Sequence, residues 1–238
     1  MTTLYREIKR QLIADIASGA VAPGAALPNE TDLARRFQVS IGTLRRAVDE
    51  LVADHILVRQ QGRGTFVGRL DRDRFMFQFF RIEERGGRRE FPQVRLLNFG
   101  RGRATPEEAA ILGPSRTSSV YRIENVLQLQ ERPVILDHLV IPAPLFSGLT
   151  RAQLEQRPGT IYELYQADFG VTIVDADERV RAEPADAASA TVLGLPAGTS
   201  VLRIERVAYT VDRRVAELRT SVVDSRAHDY VVRARGRT

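Results

Sequence analysis

The chain contains no cysteine. That absence removes disulfides, cysteine-based zinc sites and thiol catalysis, and it is compatible with a reducing compartment. No apolar run approaches the roughly 20 residues that a membrane-spanning helix requires. Met1 leads straight into an amphipathic pattern with no basic, apolar and small-residue signal segment. A cytoplasmic protein with no membrane partner is expected. Lysine is nearly missing as well. Lys9 is the only one, so the 35 basic residues that outweigh 30 acidic ones are almost all arginine. Arginine suits phosphate and guanine contacts, but codon bias would give the same composition, and a net charge of +5 permits nucleic-acid binding without requiring it. P-loop and dinucleotide glycine motifs are absent. His55, His138 and His228 are each isolated in sequence, so no metal, no cofactor and no catalytic group is expected.

At 238 residues the chain has room for one or two domains. Leu4, Ile8, Leu12 and Ile16 recur at helical spacing, which predicts a first helix from about Thr3 to Ser18, ended by Gly19. Asn29 is placed to cap a second helix, with Asp32 in the capping-box position and Leu33, Ala34 and Phe37 on its inner face. Ser40 is the natural N-cap of a third, whose inner stripe is Leu44, Ala47, Val48 and Leu51. Ile56–Val58 and Thr65–Val67 alternate like strands around a Gly62-Arg63-Gly64 tip. The alternating charges of Arg69–Arg74 read as a linker. Beyond it, strand-like segments at 94–99, 120–129, 134–141, 173–181, 201–209 and 215–223 mix with short helices at 106–112, 151–156, 160–169 and 184–193. The fold class is α+β, with an antiparallel sheet in the second part. The expected division is 1–68, a linker at 69–75, and 76–238.

Two helices with a basic second member and a basic glycine hairpin make a winged helix-turn-helix, a DNA-reading module. On a helix starting at Ser40, Thr43 and Arg46 lie on the exposed side near the N-terminus, and Arg45 follows the buried Leu44. That end of a recognition helix enters the major groove, where an arginine can read guanine O6 and N7. The partly positive helix N-terminus can bind phosphate. Arg63 is placed to reach a minor groove, with Gly62 and Gly64 allowing close backbone approach. Taken one at a time, these arginines read equally well as solvated surface charge.

The segments LYREIKRQLIADIASGAVAPGAALPNETDLARRFQVS, TLRRAVDEL and QGRGTFV make residues 1–67 resemble the GntR family of bacterial transcription regulators. The resemblance implies that Ser40, Thr43, Arg45 and the wing from Gly62 to Thr65 contact double-stranded operator DNA. Thr31 and Ile41 stand where members commonly carry arginine. They are expected to contact a phosphate and a thymine methyl instead, with an altered half-site.

From Phe75 onward the chain resembles the UTRA effector domain of the HutC-like branch. The matching stretches include Ala109-Ala110-Ile111-Leu112-Gly113, Thr160-Ile161-Tyr162-Glu163-Leu164 and Arg213-Arg214-Val215-Ala216-Glu217. The resemblance implies a chorismate-lyase-like fold, a small-molecule effector and a homodimer. It places Glu217, Asp137 and Thr160 at pocket positions, with Val223 where a tyrosine is common. Asn125 and Leu127 fall where an arginine pair usually meets an anionic ligand, and Arg122 points to the opposite face. A less anionic, more apolar effector is expected from that register; a shifted register is the alternative. Asp137 and Glu217 also read as ordinary solvent-face strand residues, and Thr160 as a helix cap. The whole is expected to be a ligand-responsive regulator, a repressor and not an enzyme. The alternatives are lyase-like catalysis in the second domain or DNA binding without a ligand.

Overall fold

The structure is a computed structural model that describes residues 4–87, 89–113 and 119–232. Helix α1 spans Leu4–Ala17, α2 Glu30–Phe37 and α3 Ile41–Ala53, and the two-stranded wing is β1 (Leu57–Gln60) with β2 (Gly64–Val67). Thr3, the expected start of α1, lies outside the described residues. The stripe that α1 buries is Tyr5, Ile8, Leu12 and Ile16, while Leu4 is 66% exposed. Four-residue steps drift about 40° around a helix each time, so replacing the first by a three-residue step keeps the stripe on one face. The three helices close over Leu44, Ala47 and Leu51, all fully buried.

Both interhelical turns are fixed by side-chain caps. Asn29 accepts the Asp32 N–H at 2.8 Å, and the Asp32 carboxylate takes the Asn29 side-chain amide in return, not its backbone N–H. Ser40 accepts the Thr43 N–H at 3.2 Å. Between them Gln38 adopts a left-handed conformation that ends α2.

The segment expected as a linker is largely structured. Leu70 is buried, and Asp71 caps a helix, α4, over Arg72–Gln78. Its charged first turn faces outward, whereas Phe75 and Phe79 face the core, so tertiary packing holds a helix that charge patterning alone hides. A short strand β3 (Ile82–Glu84) follows.

The second half is a six-stranded antiparallel sheet in the order β4-β5-β6-β9-β8-β7. Its strands are β4 (Gln93–Arg103), β5 (Ser119–Leu129), β6 (Arg132–Pro142), β7 (Ile173–Pro184), β8 (Ser200–Thr210) and β9 (Val215–Val223). Helices α5 (Pro106–Leu112), α6 (Arg151–Gln156), α7 (Ile161–Phe169) and α8 (Ala187–Leu193) connect them, and β10 (His228–Tyr230) returns to pair with β3. One sheet face packs on α4 and α7 through Ile123, Leu139, Phe146, Tyr162 and Tyr165. The other packs on α8 through Leu136, Leu193 and Val222. Val174 and Val211 belong to the core of the helical N-terminal part, so the two halves share apolar contact.

Candidate functional site

The exposed end of α3 gathers the first group of candidate residues. Ser40 and Thr43 lie with their hydroxyls 2.9 Å apart, Ile41 is exposed beside them, and Thr31 is exposed in the first turn of α2. Arg45 points toward α2, where its Nε donates to Glu30 at 2.7 Å. Arg45 is exposed and Glu30 half-buried at the surface, so this pair is worth at most about 1 kcal/mol and a phosphate or guanine can displace it. Arg46 turns the other way and lies 4.0 Å over the Tyr5 ring of α1. Its guanidinium is therefore engaged in a cation–π contact and is not grouped with Arg45. At the wing tip Gly62 and Gly64 have φ of +71° and +111°, conformations that a side chain would strain. Arg63 between them is exposed near the Phe66 ring, and Thr65 is half-buried in β2.

The second group sits under α4. Two cavities of about 30 Å³ each lie between this helix and the sheet, the second also reaching the start of α7. Phe75, Leu127, Asp137 and Arg219 line both. Val223 and Arg206 line the first, and Asn125, Arg157 and Thr160 the second. Each holds one or two water-sized groups, so a metabolite has to push the walls apart. Cross-strand register brings Asn125 beside Asp137 and Asp137 beside Ser221. Glu217 lines neither cavity. It is fully buried behind them, accepting from Tyr162 at 3.0 Å, Tyr165 at 2.9 Å and Arg219 Nε at 2.9 Å. Asp137 accepts from the Ser221 hydroxyl at 2.5 Å and from Arg219 at 3.2 Å. Burial of both carboxylates rules out the solvent-face alternative. Arg122 does face away, pairing with Glu108 of α5 at 2.7 Å.

Burial, reinforced by the Glu217 carboxylate, pushes the Tyr162 and Tyr165 hydroxyls well above the ordinary tyrosine range, so both stay neutral donors. For Arg219, burial acts to lower the pKa, but Glu217, Tyr162 and Asp137 together outweigh it and hold the guanidinium charged. For Arg157 burial wins: it lowers the pKa, Tyr165 opposes the shift only in part, and the charge of Arg219 adds to it. The sequence reading missed Arg157, Arg219, Tyr162 and Tyr165. Alternation could have found Arg219, two residues from Glu217 and on the same strand face. Nothing local marks Arg157.

The pocket is mechanically joined to the DNA-facing half. The Thr160–Glu163 capping box starts α7, whose Tyr162 and Tyr165 hold Glu217 and whose Gln166 accepts the buried Leu70 N–H at 3.0 Å. On α4, Phe75 lines both cavities while the adjacent Arg74 donates to the carbonyls of Arg69 and of His55, in the turn before the wing.

Residues 87–229 match the UTRA domain family, and residues 4–67 match the bacterial regulatory proteins of the gntR family. The chain is a GntR-family regulator with a UTRA domain. It is similar to the transcriptional repressor NagR of Bacillus subtilis, 28% identical across 96% of this chain and 93% of that one. It is also similar to the histidine utilization repressor of Pseudomonas aeruginosa, 30% identical over 62% of each chain. The ligand-binding domain of a GntR-family regulator from Bordetella bronchiseptica superposes with a TM-score of 0.62 at 29% identity, covering 67% of this chain and 99% of that domain. PhnF from Mycobacterium smegmatis shares the fold over 96% of this chain and 100% of its own, with a TM-score of 0.53 at 21% identity. This GntR/UTRA protein is thus a ligand-responsive DNA-binding regulator of transcription, and the relatives it matches are named as transcriptional repressors and regulators. Among the described residues no helix is long and apolar enough to cross a membrane, and no cluster of side chains is arranged to hold a metal.

Proposed function

We propose that this GntR/UTRA regulator works as a homodimer. Residues 1–68 read DNA, 69–75 transmit, and 76–238 bind the effector and dimerise. Each protomer offers one winged helix to half of a near-palindromic operator, because a two-fold protein matches a two-fold site. Arg45 reads guanine after releasing Glu30, Ile41 meets a thymine methyl, and Ser40, Thr43 and Thr31 meet phosphates. The wing from Gly62 to Thr65 lies along the minor groove with Arg63 leading.

The observation that carries the regulatory half is α4. The same helix roofs both cavities with Phe75 and grips the pre-wing turn with Arg74. A metabolite that opens the cavities must displace Phe75, and it shifts operator affinity by its unequal affinity for the two placements of α4. Binding is favoured over catalysis because the acidic groups are already engaged, Glu217 by three donors and Asp137 by two. Fluorescence anisotropy on the promoter DNA of its own gene tests this, with Phe75→Ala as the variant. Operator binding persists and effector response falls; an unaltered response would remove α4 from the route.

A further inference from the structure

The six-stranded sheet has two open edges, and they differ in charge. On β4 the exposed edge carries Arg95, Arg101 and Arg103 with no acidic residue, and a bulge between Leu96 and Asn98 breaks its register. A copy of the strand laid against it meets like charge. The opposite edge is β7, which pairs on one side only, with β8. Its one register shift falls at its start, between Ile173 and Asp175. Residues 179–182 are exposed in an unbroken run that includes Val180 at 41%. An open strand of this length presents unpaired N–H and C=O groups and recruits another strand unless something blocks it.

Alternation puts Asp175, Asp177, Arg179 and Arg181 on one face of β7, and all four are exposed. Two acids followed by two bases read as bases followed by acids from the other end, so the row is complementary to its own two-fold copy. One register satisfies every charge in it. With Glu178 on the two-fold axis, Asp177 faces the partner's Arg179 and Asp175 faces the partner's Arg181, each pair occurring twice. Moving the axis to Arg179 sets Arg179 against itself and Asp175 against Glu183; moving it to Asp177 sets Asp177 against itself. The central charges are available. Glu205, beside Arg179 on β8, is taken by Arg181 and Arg203, and no ion pair among the described residues involves Arg179. Asp177 accepts from the Tyr209 hydroxyl at 2.9 Å, a neutral donor that leaves its charge uncompensated. On the other face of the strand Glu178 meets its own copy, but Arg206 and Arg81 already neutralise it.

We propose that the β7 edge is the dimer interface: a second copy of this chain pairs antiparallel with β7, centred on Glu178, and the two sheets become one. The proposal rests on the reading that the protein is a homodimer and adds which surface makes it. Val174, at the start of the same strand, packs in the core of the DNA-reading half. It lies four residues, about 13 Å, from the axis, so the seam also sets how far apart the two readers stand.

Sedimentation equilibrium of the full chain reads the dimer dissociation constant, with thermal unfolding checking that each variant folds. The natural chain is expected to be a dimer. Asp177→Arg sets arginine against arginine and Arg179→Asp sets acid against acid, and each is expected to raise the constant at least tenfold. An equimolar mixture of the two single variants is expected to recover the dimer as a heterodimer, and the double variant to recover it as a homodimer, because both restore opposite charges across the seam. A monomeric natural chain overturns the interface and the homodimer reading together. A dimer that neither single variant weakens overturns the interface alone. Weakening that neither the mixture nor the double variant repairs overturns the register, and the proposal with it.

Discussion

The side chain of Gln166 accepts the backbone N–H of Leu70 at 3.0 Å and lies 3.4 Å from the carbonyl of Gly68, to which it donates. One helix, α7, therefore begins at the pocket and ends on the segment that joins the two halves. Gln166 is buried and also donates to Thr172. Gln166→Leu keeps the volume but strands a buried N–H and a buried carbonyl. It is expected to cost about 1–3 kcal/mol in denaturant unfolding. It should also blunt the change in operator affinity that effector produces, with effector binding retained. An unchanged response in that variant would confine Gln166 to a structural role.

Arg45→Ala is expected to weaken operator binding by about 1–3 kcal/mol and to relax preference at one base pair. Glu30→Ala should act in the opposite direction by less than about 1 kcal/mol, since it removes an exposed competitor for the Arg45 guanidinium. Competition binding with single-base operator variants separates these effects.

Arg46→Ala should lower stability by about 0.5–1 kcal/mol through loss of its contact with Tyr5, leaving base preference unchanged. Arg63→Ala should weaken operator and scrambled DNA alike and make the salt slope shallower by about one. Anisotropy titrations at several salt concentrations give both results.

Much of the reader was legible because its signals are local. Asn29 and Ser40 each cap a helix from the adjacent position, and Gly62 and Gly64 mark a turn that needs positive φ. The sheet was legible from two-residue alternation. Helix α4 was not, since Arg69–Arg74 looks solvated until Phe75 and Phe79 find Tyr162, whose ring centre is 5.6 and 5.1 Å from theirs. Strands β3 and β10 are three residues each and pair across the length of the second half, beyond any local pattern. At the pocket, Asn125, Asp137 and Thr160 follow from the resemblance. Arg157 lines the second cavity only once the turn from α6 to α7 is folded against the sheet.

Glu178 gives a pH dependence. Burial raises its pKa, but Arg206, Tyr230 and Arg81 outweigh that and hold it below the usual carboxylate value of 4.5. A folded pKa depressed below the unfolded one means stability that is full above pH 4.5 and lost as acid protonates the folded group. Glu178→Gln should thus destabilise at neutral pH, with the gap from wild type narrowing below that value. A gap independent of pH would show that Glu178 acts by packing alone.

The most direct test of the account couples ligand to DNA in one experiment. Compounds that raise the melting temperature of the full chain are titrated into its complex with promoter DNA, and operator affinity is read by anisotropy. The account predicts that a stabilising ligand changes operator affinity at least tenfold, and that operator changes the affinity for that ligand by the same factor. A ligand that binds beneath α4 and leaves operator affinity untouched would contradict it.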